Sequence, residues 1–161
     1  MESWRTVWRS GFAPILSTAG LEALKVALET DDPRLAQGLT TTPPPLWCVQ
    51  GWICEGCCPL AFCGVIDAGG FGVATVGDAE AAFSKFCFEA DQRLGEPAAC
   101  RWFLNAIDDT PRKQMFAELL AEVKLELARR GKEEPVSFDL ASVGHLDGVG
   151  RAVAAVRGNE L

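Results

Sequence analysis

Cys48, Cys54, Cys57, Cys58 and Cys63 crowd into one short stretch of the chain, and thiolates are good ligands for soft metal ions. A Cys-x-x-Cys turn such as Cys54 to Cys57 lets two sulfurs converge on one ion, and a tetrahedral zinc or iron site would draw its other ligands from Cys58, Cys63 and Cys48. Strong zinc signatures add a second such pair or a His pair. This chain has one Cys-x-x-Cys and one histidine, His145. The same two thiols could instead work as a dithiol, cycling to a disulfide, a chemistry favoured when a helix N-terminus lowers the pKa of the first sulfur. The residues that follow argue against that placement, because Pro59 and an apolar run read as a strand where a redox Cys-x-x-Cys opens a helix. Free cysteine also packs as a small apolar side chain. Cys63 lies inside Leu60-Ala61-Phe62-Cys63-Gly64-Val65, and Cys87 and Cys100 sit on apolar helix stripes, so packing is the preferred reading of the thiols.

Other candidates are weaker. Gly70-Phe71-Gly72 has the look of a phosphate-binding loop, yet Thr75 stands where a third glycine is needed and no lysine follows. Gly148-Val149-Gly150 leaves too little chain for a dinucleotide-binding unit. Both read as turns. His145, with Asp147 nearby in a glycine-containing turn, has neither a nucleophile motif nor an orienting acid beside it. The pairs Asp31/Asp32 and Asp108/Asp109 each precede a helix start, where negative charge is favoured, and read as caps. No catalytic residue and no resident cofactor is assigned. Five tryptophans and nine phenylalanines leave many large apolar groups to place. Trp4, Trp8, Trp47 and Trp52 are the candidate anchors of an interface with a protein partner or a second copy, while closure over the core is the competing reading.

These residues must be positioned by local structure. In residues 1–13, Trp4, Val7, Trp8 and Phe12 recur at helical spacing and form a docking arm. Ser17 or Thr18 caps a helix striped by Leu21, Leu24 and Leu28, ending near Asp31 and Asp32. Asp32-Pro33 starts a short second segment that Gly38 terminates. Residues 40–45, Thr-Thr-Thr-Pro-Pro-Pro, form a proline-rich surface connection. Residues 46–66 read as a cysteine-rich hairpin, with strands at Leu46 to Ile53 and Pro59 to Ile66. A glycine-rich turn, with a short strand at Val73 to Val76 as an alternative, leads into a helical segment over residues 78–131. In it Asp78 caps a helix striped by Phe83, Phe86, Cys87, Ala90 and Leu94 that Gly95 ends. Pro97 restarts the chain as a helix with Cys100, Phe103, Leu104 and Ile107 inward. Thr110 and Pro111 then open a helix striped by Phe116, Leu119, Leu120, Val123 and Leu127, which stops at Gly131. A strand at Val136 to Leu140 and a helix near Val149 to Val156 complete the expectation.

The whole is an α+β domain, predominantly helical, with about five helices packed on a small two- or three-stranded antiparallel sheet. At 161 residues it is one domain, residues 1–161, able to bury a core without disulfides. Hydrophobic residues at 48% and charged residues at 23% match a folded globular chain. A net charge of −7 repels phosphate backbones and anionic lipid, which excludes nucleic acid and membrane as partners. Glu2, Arg5 and Arg9 interrupt the start, so no export signal is read, and no apolar run nears the roughly 20 residues a bilayer requires. Seven unevenly spaced cysteines fit a reducing, cytoplasmic setting. The sequence therefore points to a non-enzymatic accessory or protein-interaction domain. Its rival is a thiolate metal or dithiol protein centred on Cys54 and Cys57.

Overall fold

A computed structural model describes residues 3–133. It divides the chain at Gly131 into two units, and the architecture below belongs to the first. That unit is predominantly helical, with six α-helices and one two-stranded antiparallel sheet among the described residues, as the α+β expectation requires. No described helix is long and apolar enough to cross a membrane. The expected strand near 136–140, the helix near 149–156 and His145 lie outside the described residues.

The N-terminal arm is helical from its first turn. Ser3 caps α1 (Trp4–Val7) by accepting the Thr6 N–H, and the chain continues through a π-helical turn at Trp8–Phe12 and a 3₁₀ turn at Ala13–Ile15. Its apolar side is core. Phe103 packs against Trp4, Trp8 and Phe12 with ring centroids 6.1, 5.5 and 5.1 Å apart. Arg9 grips the buried Glu122 through two 2.7 Å hydrogen bonds, and Arg5 reaches Glu118 at 2.7 Å. At the far end of the arm, Arg130 donates to the carbonyls of Ala13 (2.7 Å) and Leu16 (2.8 Å).

Ser17, not Thr18, caps α2 (Thr18–Glu29) by accepting the Gly20 N–H. The Asp32-Pro33 segment is a turn rather than a helix: Asp32 accepts the Arg34 N–H at 2.9 Å, and Leu35 forms an isolated bridge to Cys57. The proline-rich connection supplies β1 (Thr41–Thr42), which pairs antiparallel with β2 (Gly56–Cys57), Thr41 opposite Cys57 and Thr42 opposite Gly56. Pro43, Pro44 and Pro45, with no N–H to donate, do not extend the ladder.

The cysteine-rich hairpin is corrected. Leu46 to Ile53 is a loop with a 3₁₀ turn at Trp47–Val49, and Pro59 to Ile66 is not a strand but most of α3 (Pro59–Asp67). Pro59 occupies the first helical position, where its missing N–H costs nothing, and Pro59 through Val65 are all buried. A segment wrapped on every side has no polar face, so its apolar run has no period from which helix and strand can be told apart. α3 is the central helix, packed between α2 and α4 (Val76–Leu94). Contact with α4 is close because Gly64 faces Ala82: a Cβ at Gly64 would overlap the Cβ of Ala82.

The cap of α4 is Thr75, with Asp78 as the third residue of a reciprocal capping box; Gly95 ends the helix with φ 66°. Pro97 begins a corner, not a helix. The carboxylate of Asp91 accepts the N–H groups of Ala98 (2.9 Å) and Cys100 (2.8 Å), and α5 (Arg101–Asp109) follows. The last described helix, α6 (Arg112–Glu133), runs through Gly131 instead of stopping there. It buries Met115, Phe116, Leu119 and Val123, with Leu120 half-buried beside them.

Candidate functional site

The thiol segment is placed by backbone pairing on three sides. The N–H groups of Cys54, Glu55, Cys57 and Cys58 donate to the carbonyls of Ala74 (3.0 Å), Thr42 (2.8 Å), Arg34 (2.8 Å) and Thr40 (3.0 Å). Cys58 then begins α3 as its N-cap residue, with the first turn buried behind it. The segment from Cys54 therefore ends in β2 at Cys57 and leads directly into a helix N-terminus, opposite to the sequence expectation.

Of the five clustered cysteines, Cys48 stands apart and exposed, while Cys54, Cys57, Cys58 and Cys63 are buried. Cys63 fills the space against Gly20 of α2, which is the packing role expected of it. Among the described residues no group of three or more His, Cys, Asp or Glu side chains is arranged to hold a metal ion. The zinc or iron reading requires such convergence.

The Cys54 sulfur donates to the Gly56 carbonyl at 3.2 Å. Side-chain hydrogen bonding with Cys57 pulls the Cys54 thiol down to about 7, and the same interaction, with burial, pushes Cys57 well above the ordinary thiol range. Burial pushes Cys58 up to about 11 and raises Cys63 further. Cys87 and Cys100, adjacent to one another across α4 and the start of α5, are also raised, chiefly by burial.

Beside this segment lies a loop with a different character. Leu46, Trp47, Trp52 and Ile53 expose 58%, 90%, 60% and 45% of their surface, while Val49 points inward and anchors them. The loop is built rather than slack. Two N–H groups in the first turn of α4, orphaned by helix geometry, are satisfied by it: Val76 donates to the Trp52 carbonyl (2.8 Å) and Gly77 to that of Gln50 (2.9 Å). Gly77 suits this approach, since a Cβ there would sit 3.0–3.1 Å from Gln50 atoms and would press Gln50 back by a few tenths of an ångström. Gln50 also donates to Glu80 at 2.8 Å, and Ile53 bridges to Thr75. The four candidate tryptophans thus divide: Trp8 is fully buried and Trp4 packs on Phe103, so the arm is core and not surface, whereas Trp47 and Trp52 stand out on one loop. Leu46 and Ile53 join them and went unnoticed in the sequence. Their flanking position beside the two tryptophans was the available signal.

The remaining candidates among the described residues have structural partners. Gly69, Gly70 and Gly72, all with positive φ, turn the chain between α3 and α4, and the Gly70 N–H returns to the Val65 carbonyl. Asp31 pairs with Arg112 at 2.9 Å, Asp32 with Arg34 at 2.6 Å, and Asp108 accepts the Gly38 N–H at 2.9 Å. A recess of about 100 Å³ has Cys58, Pro59, Phe83, Phe103 and Asp108 among its walls, and a wider one of about 540 Å³ lies among Leu28, Asp31, Arg112, Phe116 and Leu120. Comparison of the chain with protein-family models, with curated proteins and with solved structures found no match.

Proposed function

We propose that this chain is an accessory protein-interaction domain that docks through the Leu46 to Ile53 loop into an apolar pocket on a different protein. One observation carries the reading: four large apolar side chains, led by a tryptophan exposed to 90%, are held out on a loop that backbone hydrogen bonds fix to α4. An apolar group left in water contributes nothing to folding, and a rigid loop gives up little entropy on binding, which is the design of an interface anchor.

Charge supports a different protein over a second copy. Between Arg34 and Lys85 the chain has no basic side chain, while Glu55, Asp67, Asp78 and Glu80 are acidic, so the stretch of chain that contains the loop carries charge of one sign. Two copies with a net charge of −7 each repel, and a pocket rimmed by Lys or Arg attracts. The reading puts the chain in the cytoplasm, where its thiols stay reduced.

The test places a photo-cross-linking side chain at position 47, identifies the protein captured in cell extract, and titrates that protein, purified, against the wild type and Trp47→Ala. The expected result is a 1:1 complex, weakened by salt and at least about 30-fold weaker for Trp47→Ala, the loss of an aromatic hot spot. Equal binding by the variant, or capture of a second copy of this chain alone, refutes the proposal.

A further inference from the structure

We infer that the groove between the end of α2 and the first half of α6 binds a small organic anion with an unbranched apolar tail, of the medium-chain carboxylate class. Its cavity of about 540 Å³ falls within the 300–1,000 Å³ that small-molecule sites usually occupy. Leu28, Phe116, Ala117 and Leu120 supply the apolar lining, and Arg112 and Lys113 the cations. The order of these residues along α6 gives the ligand its shape. Arg112, Phe116 and Leu120 stand four apart in the chain and so form one row on the helix, with charge at its start and only carbon beyond. At the helical rise of 1.5 Å per residue the row is about 12 Å long. A ligand that matches it carries one negative group at one end and a chain behind it.

The head of the row is prepared for an anion. The Arg112 guanidinium donates to Asp31 (2.9 Å) and to the carbonyls of Leu35 (2.6 Å) and Asp32 (3.1 Å), and it lies over the Phe116 ring at 4.3 Å. Three of its five N–H groups are used in this way, which fixes its plane and leaves two for a carboxylate. Both acids in the lining are already matched, Asp31 by Arg112 at 2.9 Å and Glu29 by Lys124 at 2.9 Å. Lys113 is exposed and has no ion-pair partner among the described residues, so the groove holds one surplus positive charge. The net charge of −7 opposes an anion's approach, yet charges farther away than about 8 Å are screened at physiological ionic strength, and Arg112 and Lys113 dominate at contact. Ala117 is exposed and Leu120 half-buried, so a bound tail keeps one side in water. The site does not depend on the Trp47 loop having a partner.

The test titrates the full, isotope-labelled chain with octanoate, with octylamine and with butyrate, and follows the amide NMR shifts. Octanoate should saturate a single site, with the largest shifts at Leu28 and from Arg112 to Leu120. Each methylene removed from the tail should weaken binding about twofold, the effect of a methylene half-buried rather than enclosed, so butyrate binds about 16-fold more weakly. Octylamine, with the same tail and the opposite charge, should bind far more weakly than octanoate. Two substitutions at exposed positions, which leave the core untouched, separate head from tail. Lys113→Gln should weaken octanoate about three- to fivefold, as the loss of an exposed ion pair does. Ala117→Trp, which lays a ring in the groove, should weaken it at least about tenfold, with Tm unchanged in both variants. Octanoate that fails to saturate by about 10 mM overturns the inference. So does octylamine binding as well as octanoate, Lys113→Gln binding as tightly as the wild type, or shifts centred on the Leu46 to Ile53 loop.

Discussion

Gly64→Ala tests the packing that carries the thiol segment, because α3 touches α4 there without a side chain between them. A methyl group at Gly64 would overlap the Cβ of Ala82 and approach a Phe86 ring carbon to 3.6 Å. Two effects oppose each other. In a helix interior Ala is favoured over Gly by about 1 kcal/mol. Overpacking a close-packed contact costs about 1–3 kcal/mol, and here the obstacle is a Cβ fixed to a helix backbone, with no rotamer to relieve it, so about 3 kcal/mol applies. The net loss is about 2 kcal/mol, or about 4–8 °C in Tm for a domain of this size. Urea unfolding followed by tryptophan fluorescence, with a thermal melt followed by circular dichroism, measures it. Ala82→Gly alone should cost about 1 kcal/mol in helix propensity. Combined with Gly64→Ala it removes the obstacle, so the double variant should return close to wild-type stability, a coupling of about 3 kcal/mol. Gly64→Ala as stable as the wild type, or a double variant whose losses simply add, would refute the contact.

Two further outcomes follow from burial. Leu119→Ala should cost about 2–5 kcal/mol, since Leu119 is fully enclosed on α6, whereas Trp47→Ala should change stability by less than about 0.5 kcal/mol; urea midpoints compare them, and a reversed order would mean that the loop belongs to the core. Stability should also fall in alkali. The Cys58 thiol, raised to about 11 by burial, keeps its proton in the folded chain after the unfolded chain has released it near 9.0, so the unfolded state binds fewer protons above pH 9. The contribution is whole below pH 9 and declines as pH rises towards 11. Urea midpoints at about pH 8 and about pH 10.5 should differ, and by less in Cys58→Ala; the same decline in that variant would remove the thiol as its cause.

The elements whose signals are local were legible in the sequence, and the misread ones share a physical cause. Ser17, Gly95 and the apolar stripe of Phe116, Leu119 and Val123 act within a turn or two of themselves, and spacing records them. Burial on every side does not. α3 has no polar face to give it a period, and Pro59, its first residue, was the one mark of its start. That misreading had a chemical consequence, since the case against a redox role for Cys54 and Cys57 rested on a strand following them. Composition likewise cannot sort Trp8 from Trp47. Both follow from contacts across the chain: Arg5 and Arg9, four apart, meet Glu118 and Glu122, four apart on α6, and this ladder draws the arm inward with Trp8 beneath it. Trp47 and Trp52 are held outward because the first turn of α4 takes its missing acceptors from their loop. The candidate interface is thus a by-product of capping a helix, and a site made this way leaves its mark in pairing between distant segments rather than in the spacing of its own residues.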